Sequence, residues 1–259
     1  MIKLNTKNTW CPGCGNFGIE KALGEVIKKD TVLVAGIGCH GKIVDYMNVD
    51  SFCSLHGRAV ASAQGIKVAR PDLNVVCCTG DGDNYNEGVE HFIHAAKRNV
   101  DITVLVHDNR AFALTARQFT ATSPQGLKTG SSPQGNEEYP INPMKLAFAS
   151  NASFIARGYS AKTEHLADLI RKGMEHKGFS FIEILQPCVA WFNTFPLYNE
   201  KVYEVEGPFD KEKAREVSSE WDYNDDASIP VGLFYKEDRK VFHLGERKEV
   251  DIAKILEKK

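Results

Sequence analysis

Four of the chain's seven cysteines stand in short segments rich in glycine and proline. Cys11 and Cys14 are two residues apart, Cys39 follows a glycine, and Cys188 follows a proline. A two-residue gap lets both thiolates reach one metal centre, and such turns can direct backbone N–H groups towards inorganic sulfur. The spacing alone also allows a zinc site or no site. A thioredoxin-like dithiol is disfavoured, because no strand precedes Cys11 and two further cysteines have similar flanks.

The other three cysteines carry no such motif. Cys77 and Cys78 lie inside an apolar run, where a cysteine behaves as a small hydrophobic residue, so we expect both to pack in the core. Cys53 has no recognisable motif around it and is predicted to be structural. An odd number of cysteines in a cytosolic chain argues against a disulfide framework.

A second group of polar residues follows two predicted strands. Gly80, Asp81, Gly82 and Asp83 come directly after one strand, and Asn109 comes after the next, about 30 residues beyond Gly80. Open α/β sheets bind ligands at the carboxyl ends of their strands. Glycines let the backbone close on a phosphate, and carboxylate and amide oxygens suit Mg²⁺. The pattern predicts a diphosphate site with a bridging magnesium ion.

Several cations stand close to these segments. His56 and Arg58 precede a predicted helix, where they suit a cofactor phosphate or a substrate carboxylate, or merely cap the helix. Lys42 follows Cys39 closely and either holds a second carboxylate or is solvated. His40, beside a candidate metal ligand, could donate a hydrogen bond to sulfur.

Short apolar runs alternate with helical patterns along most of the chain, which is typical of parallel strands joined by helical crossovers. We predict an α/β fold: a doubly wound, mostly parallel sheet with helices on both faces. The predicted helices are 16–29, 57–70, 87–98, 143–150 and 162–176, and the predicted strands are 31–37, 74–79, 101–107, 152–157 and 180–185.

Two segments interrupt this alternation. Residues 111–142 are too long for an ordinary connection and predict a functional loop or short elements. The chain after residue 186 has weak periodicity. We therefore predict one domain over residues 1–190 and a C-terminal extension, 191–259, packed on that domain or on a partner subunit. A partly ordered extension is the alternative, and its lysine-rich end, 254–259, is predicted to be a solvated helix end.

The composition is that of an ordinary globular protein. Among 259 residues, 42% are hydrophobic, 25% are charged, and the net charge is −2. These values exclude a disordered chain, a collagen and a strongly basic nucleic-acid binder. The first ten residues lack the apolar run of a signal peptide, and no stretch is long enough for a membrane helix. We expect a cytoplasmic protein that binds neither nucleic acid nor membrane.

The strand-end pattern resembles the thiamine diphosphate motif, which begins with Gly-Asp-Gly and ends near an asparagine about 30 residues later. The resemblance implies that Asp81, Asn109 and the backbone carbonyl of Ala111 bind Mg²⁺. It also implies a thiamine diphosphate-binding fold. Further contacts to that cofactor are implied for Gly80, Gly82, Asp83, Ala113 and Leu114.

Residues 10–190 resemble the β subunit of a 2-oxoacid:ferredoxin oxidoreductase in seven segments. These are 11–19 (CPGCGNFGI), 36–39 (GIGC), 55–59 (LHGRA), 80–83 (GDGD), 91–95 (HFIHA), 98–104 (RNVDITV) and 186–188 (QPC). The resemblance implies that Cys11, Cys14, Cys39 and Cys188 hold one 4Fe-4S cluster. It implies catalytic roles for His56, Arg58 and Lys42. It adds cofactor contacts from Ile37, Gly38, Cys39, His40, His56, Gly57, Arg58 and Ala59.

The same resemblance implies an activity and its partners. Such an enzyme decarboxylates a 2-oxoacid oxidatively, passes the acyl group to coenzyme A and delivers electrons through the cluster to ferredoxin. The glutamate that activates the thiamine ring belongs to a second domain, which does not fit into 259 residues beside the first. An α subunit, or separate α and γ subunits, is therefore an expected partner.

Departures from the family pattern leave the substrate open. His40 and Lys42 stand where serine and arginine are usual, and Leu114 replaces a common methionine. The run after the Gly-Asp-Gly-Asp segment, 84–87, is polar rather than apolar. The substrate could be 2-oxoglutarate, pyruvate, or a branched or aromatic 2-oxoacid. Two alternatives remain: a subunit of a non-oxidative thiamine diphosphate decarboxylase or synthase, and a zinc-stabilised, non-catalytic binding protein.

Overall fold

The computed structural model describes residue 4 and residues 6–243. Within these residues eight strands form one sheet in the order β2-β1-β3-β4-β6-β5-β8-β7. The strands are β1 (Thr31–Ala35), β2 (Asp50–Cys53), β3 (Asn74–Gly80), β4 (Ile102–Asp108), β5 (Phe154–Tyr159), β6 (Phe179–Leu185), β7 (Val202–Glu204) and β8 (Ile229–Lys236). The α-helices are α1 (Asn16–Val26), α2 (Ala59–Ala69), α3 (Val89–Arg98), α4 (Pro143–Ala149), α5 (Thr163–Glu175), α6 (Phe195–Lys201) and α7 (Lys211–Ser218).

All neighbouring strands are parallel except β5 and β8, which pair antiparallel. The predicted mostly parallel α/β fold is therefore confirmed, with each predicted helix and strand within a few residues of its observed bounds. Strands β3, β4 and β6 form the centre of the sheet and are buried almost throughout. This burial explains their continuous apolar sequences.

Helices cover both faces of the sheet. Helices α2 and α3 pack on one face, where Phe92 contacts Phe179 and Phe181 edge-on, with ring centroids 5.4 and 5.1 Å apart. Helices α1 and α5 pack together on the other face. Successive strand residues point to opposite faces, so Cys77 belongs to the first core and Cys78 to the second. The prediction that both cysteines pack in the core is confirmed.

Five elements are absent from the predicted set: β2, α6, β7, α7 and β8. All four residues of β2 are exposed, so this edge strand has no apolar pattern to reveal it. Cys53 lies in β2, and its exposure shows that the structural role expected for it is not core packing. Pro230 and Gly232 interrupt the apolar run of β8. Both residue types are uncommon inside strands, which hides β8 in the sequence.

The strand order places a topological switch point between β1 and β3, next to the glycine-rich turns that follow these two strands. The chain crosses from β1 to β2 on one side, and from β2 it passes β1 to reach β3 on the other side. The segments that follow β1, β3, β4 and β6 therefore leave one edge of the sheet side by side. Ligands of open parallel sheets bind at such an edge.

The described part of the C-terminal extension, 191–243, adds β7 and β8 to the same sheet. Residues on both sides of the predicted boundary at residue 190 thus belong to one sheet. Trp221 and Tyr223 stack at a centroid distance of 4.1 Å over the end of the sheet. Residues 244–259, which include the predicted lysine-rich helix end, lie outside the described residues.

No helix in the described ranges is long and apolar enough to cross a membrane.

A fully buried ion pair links β5 and β6, and its two side chains also bond to the C-terminal extension. Arg157 of β5 donates from Nε to Glu183 of β6 over 3.1 Å, and both side chains are 0% exposed. The same guanidinium donates to the carbonyls of Pro230 and Ser218, and the Tyr223 hydroxyl donates to Glu183. Burial alone would raise the pKa of Glu183, and the charge of Arg157 opposes that rise and favours the ionised form.

Replacing Arg157 with Met should lower the free energy of unfolding by about 3–5 kcal/mol, because Glu183 then stays buried without its cation. The double variant Arg157→Met/Glu183→Gln should recover at least half of this loss, since a neutral amide needs no counter-charge. Urea-induced unfolding measures both. Lys145→Met removes only an exposed pair with Asp222 and should cost less than about 1 kcal/mol. Equal losses at positions 157 and 145 would contradict the assignment.

Candidate active site

A cavity opens at the carboxyl ends of the central strands, and we call it the strand-end cavity. Segments after β1, β3 and β4 form it, together with His56 from the loop before α2. Its lining comprises Ile37, Gly38, Cys39, His40, His56, Gly80, Asp81, Gly82, Asp83, Asn109, Ala111, Phe112, Ala113, Leu114 and Thr115. Residues 111–115 begin the long predicted loop, so that loop contributes directly to the site.

A second cavity, the cysteine cavity, lies next to the first and has a volume of about 200 Å³. Its lining brings together the four cysteines with glycine or proline flanks, Cys11, Cys14, Cys39 and Cys188. The two cavities share four lining residues, which we call the shared wall: Cys39, Asn109, Ala113 and Leu114.

Asp81 offers a buried carboxylate to the strand-end cavity. Burial, together with the nearby charge of Asp108, raises its pKa to about 8. The Thr122 hydroxyl lies 3.2 Å from Asp81 and 2.8 Å from Asp108. Two buried acids this close together favour a cation as their neighbour, because a divalent ion would offset both charges.

Asn109 is oriented by two hydrogen bonds. Its Oδ1 accepts from the backbone N–H of Ala111 over 3.1 Å, and its Nδ2 donates to Gln186 over 3.1 Å. The amide is thereby fixed in orientation, and Asn109 and Ala111, with their side-chain and backbone oxygens, both line the strand-end cavity. Together with Asp81 these groups make an all-oxygen donor set, which fits Mg²⁺.

The backbone at the Gly-Asp-Gly turn is packed too closely for side chains. A Cβ at Gly82 would collide with the Phe112 ring, and one at Gly80 would lie 2.6 Å from Nδ1 of His40. Residues 82–86 form a π-helical turn, a form often found at functional sites. Glycine is required here so that backbone groups border the cavity directly.

Asp83 connects the segments that form the strand-end cavity. Its Oδ1 accepts from the backbone N–H groups of Ile37 at 3.2 Å and Gly57 at 2.8 Å. Its Oδ2 accepts from the Thr79 hydroxyl over 2.5 Å and lies 3.7 Å from His40. Burial opposes ionisation of this carboxyl, but nearby His40 and the hydrogen bonds from Gly57 and Thr79 lower its pKa. The hydrogen bonds that this carboxylate accepts therefore hold together the segments that form the cavity.

The two cations predicted before α2 have different positions. His56 lines the strand-end cavity, 3.9 Å from Asp83 and 5.9 Å from the Phe112 ring. Arg58 is not a lining residue: its guanidinium donates to the carbonyls of Gly57 and Glu87, at 3.2 and 2.6 Å. Gly57 and Ala59 are likewise not lining residues. In this chain Arg58 ties the loop to the start of α3.

Short hydrogen bonds join the cysteine segments. The Trp10 indole donates to the Cys39 carbonyl over 2.6 Å, and the N–H of Gly15 donates to the Pro187 carbonyl over 3.1 Å. Cys14 donates its N–H to the Cys11 carbonyl over 3.0 Å, which closes the turn between the two thiols. Three segments distant in sequence are therefore held around one cavity.

The thiols in this cavity influence one another. Burial, with smaller contributions from the neighbouring cysteines 188, 39 and 11, raises the pKa of Cys14 to about 11, although a backbone hydrogen bond from Asn16 opposes the rise. The pKa of Cys39 is also raised, chiefly by burial, while Lys42 lowers it. Such thiols ionise when a metal replaces their protons. The donor set fits an iron–sulfur cluster, in which each thiolate binds a different iron around a shared core.

No three His, Cys, Asp or Glu side chains in the described part of the chain are grouped so that they could hold one metal ion.

Lys42 lies on the short 3-10 helix Cys39–Asp45 and lines the cysteine cavity rather than the strand-end cavity. Its Nζ donates to the Thr9 carbonyl over 3.3 Å.

Two family models match the chain. The C-terminal, thiamine pyrophosphate-binding domain of thiamine pyrophosphate enzymes matches residues 36–184, and the C-terminal part of the pyruvate ferredoxin oxidoreductase β subunit matches 188–247. The chain is also 40% identical over 251 residues to the 2-oxoacid:ferredoxin oxidoreductase subunit β of Saccharolobus solfataricus, covering 88% of this chain and 82% of the relative. This chain belongs to the β subunits of the 2-oxoacid:ferredoxin oxidoreductases.

Further comparisons agree. The 2-oxoglutarate synthase subunit KorB of Archaeoglobus fulgidus is 41% identical over 184 residues, with 69% of each chain covered. A solved 2-oxoglutarate:ferredoxin oxidoreductase from Magnetococcus marinus, with 2-oxoglutarate, coenzyme A and succinyl-CoA bound, matches with a TM-score of 0.89 and 31% identity. That alignment covers 99% of this chain and 94% of the other. The chain is thus part of a thiamine diphosphate-dependent oxidoreductase.

Some residues that organise this β subunit were not predicted as site residues. Phe112, Thr122 and Gln186 contact predicted site residues, and Asp108 shares the Thr122 hydroxyl with Asp81, yet none of the four was predicted as a ligand. Their position in the sequence could have indicated two of them, because Asp108 ends β4 and Gln186 directly follows β6.

Asp83→Ala should lower the free energy of unfolding by about 2–4 kcal/mol, because the N–H groups of Ile37 and Gly57 lose their acceptor. Asp83→Asn keeps one carbonyl oxygen for those two donors and should lose less. Asp72→Ala, which breaks only an exposed pair with Arg70, is the control. Urea titrations measure all three variants, and equal losses for Asp83→Ala and Asp72→Ala would exclude the connecting role of Asp83.

Proposed function

We propose that this β subunit carries the active site for coenzyme A-dependent oxidative decarboxylation of a 2-oxoacid. The products are an acyl-coenzyme A and CO₂, and electrons leave through a 4Fe-4S cluster to ferredoxin. The observation that carries the proposal is the shared wall: a cavity suited to thiamine diphosphate adjoins a cavity lined by four cysteines. A non-oxidative thiamine enzyme has no need of the second cavity.

In the strand-end cavity this chain would anchor the cofactor by its diphosphate end. Asp81, Asn109 and the Ala111 carbonyl would hold Mg²⁺, and the glycine-rich turn would bring backbone groups to the phosphates. When bound, thiamine diphosphate supplies the electron sink that allows a 2-oxoacid to lose CO₂. Ala113 and Leu114 then separate that cofactor from the cysteine cavity.

In the cysteine cavity the four thiolates would hold the cluster. Conversion of a 2-oxoacid and coenzyme A into an acyl-coenzyme A and CO₂ releases two electrons and one proton. An iron–sulfur cluster accepts electrons singly, which suits a one-electron acceptor such as ferredoxin. Cys11 is exposed, so the cluster would reach the protein surface on the side away from the shared wall.

The protein's partner would complete the strand-end cavity. Ile37 and Leu114 line this cavity but are 45% and 53% exposed, and nearby Leu55 is 78% exposed. We propose that an α subunit, or α and γ subunits, covers this apolar mouth and supplies the missing pyrimidine-side residues. The proposed domain comprises residues 1–190, with 191–259 as its extension. A cytoplasmic location suits its free thiols.

The direct test is to purify the complex anaerobically with its partner subunit and assay a panel of 2-oxoacids with coenzyme A and a viologen acceptor. Oxoacid-dependent viologen reduction with acyl-coenzyme A formation is expected. Decarboxylation without viologen reduction would favour the non-oxidative alternative.

Cys188→Ala should abolish the brown chromophore and the iron content of the reconstituted complex, because one iron loses its ligand. Cys53→Ala, a matched change at an exposed cysteine outside the cavity, should keep both. Iron analysis and visible absorption measure the two variants. Full iron content in Cys188→Ala would overturn the assignment of the fourth ligand.

We further propose that Lys42 pairs with a distal substrate carboxylate and so favours 2-oxoglutarate over pyruvate. The relatives whose names specify 2-oxoglutarate support this choice. An ion pair shielded from water contributes roughly 2–5 kcal/mol when its partner would otherwise stay unpaired. Lys42→Met should therefore lower kcat/KM for 2-oxoglutarate at least tenfold more than for pyruvate. Equal losses of kcat/KM for both 2-oxoacids would show that Lys42 does not discriminate between them.

A further inference from the structure

Gln186 lines the cysteine cavity, contacts Asn109 of the shared wall, and is 1% exposed. Its Oε1 accepts from Nδ2 of Asn109 over 3.1 Å. Its Nε2 donates to Sγ of Cys14 over 3.5 Å and to the Pro187 carbonyl over 2.7 Å. One buried amide therefore contacts a proposed magnesium ligand on one side and a proposed cluster ligand on the other.

The backbone fixes this amide in place. The N–H of Gln186 donates to the Asp108 carbonyl over 2.9 Å, which extends the pairing of β6 with β4 by one residue. The segment that ends at Asn109 and the segment that leads to Cys188 are thereby held side by side. The amide has few alternative positions, because its carbonyl and both of its hydrogens already have partners.

We propose that Gln186 is a positioning residue that serves both cofactor sites at once, a role that rests on the proposed function. By accepting from Nδ2 of Asn109, it turns the Asn109 oxygen to the magnesium side. By donating to the Cys14 sulfur, it stabilises the added negative charge of a reduced cluster. Hydrogen bonds to cluster sulfurs are among the factors that set reduction potentials, and second-layer partners of metal ligands tune metal affinity.

Two variants separate these roles. Gln186→Met keeps the side-chain length but loses all three side-chain hydrogen bonds, to Asn109, Cys14 and Pro187. Gln186→Glu keeps an oxygen that can accept from Asn109. Its other oxygen carries at most one hydrogen where the amide carries two, so the bonds to Pro187 and Cys14 cannot both persist. Because the Pro187 contact is the shorter, the bond to Cys14 is the one lost.

The experiment uses the anaerobically reconstituted complex with its partner subunit. The cluster potential is measured by redox titration with electron paramagnetic resonance, without thiamine diphosphate. Magnesium-dependent binding of thiamine diphosphate is measured separately by calorimetry. Gln64→Met, a substitution on α2 outside both cavities, is the control and should leave both quantities unchanged.

Gln186→Met should weaken magnesium-dependent cofactor binding about 10–100-fold and shift the cluster potential to more negative values. Gln186→Glu should bind the cofactor within about threefold of wild type, yet show the negative shift. Wild-type potentials in both variants would overturn the sulfur role, and equal loss of cofactor affinity in both would overturn the Asn109 role. If the wild-type complex contained no iron, both the proposed function and the positioning role of Gln186 would be refuted.

Discussion

The structure depends on one constraint: four parallel strands end at the same edge of the sheet. The segments after β1, β3, β4 and β6 must therefore leave the core side by side. The polar side chains that follow these strand ends are therefore held close together. Two neighbouring cavities result, one rich in oxygen ligands and backbone amides and the other lined by thiols. The chemistry proposed for this β subunit depends on their common wall.

Buried charge is concentrated along this edge and continues into the sheet. Asp81 and Asp108 share the Thr122 hydroxyl, and Glu183 lies close enough to Asp108 to affect its ionisation. The row ends at Arg157, the cation buried against Glu183. Isolated buried carboxylates are unstable, so the fold places arginine at one end of the row. At the other end, the proposed Mg²⁺ would meet the same requirement.

Much of this architecture could be predicted from sequence, because central parallel strands are apolar throughout and their following turns contain glycine. Strands β2 and β8 could not be predicted in this way. Strand β8 contains Pro230 and Gly232, and β2 has no buried face to produce a pattern. Arg157 and Glu183 occupy strand positions where a charge is unexpected, and their pairing becomes visible only once β5 and β6 are adjacent.

The candidate site was also only partly visible in the sequence. The motifs marked Asp81, Asn109 and the four cysteines, because their residue types and spacing are distinctive. Three other features depend on tertiary contacts. Asp83 accepts from backbone N–H groups, Arg58 donates to carbonyls, and the Gln186 amide accepts from a neighbouring side chain. Residue types alone do not specify which of several available partners a polar side chain will meet.

The central claim is that electrons released in the strand-end cavity cross the shared wall directly into the cysteine cavity. The most direct measurement mixes the anaerobic, cofactor-loaded complex with its 2-oxoacid, without coenzyme A or ferredoxin, and follows cluster absorbance and electron paramagnetic resonance. The account predicts that substrate bleaches the cluster and produces the signal of its reduced form, and that thiamine diphosphate is required. A complex with full iron and thiamine diphosphate that turns over its substrate while the cluster stays oxidised would contradict it.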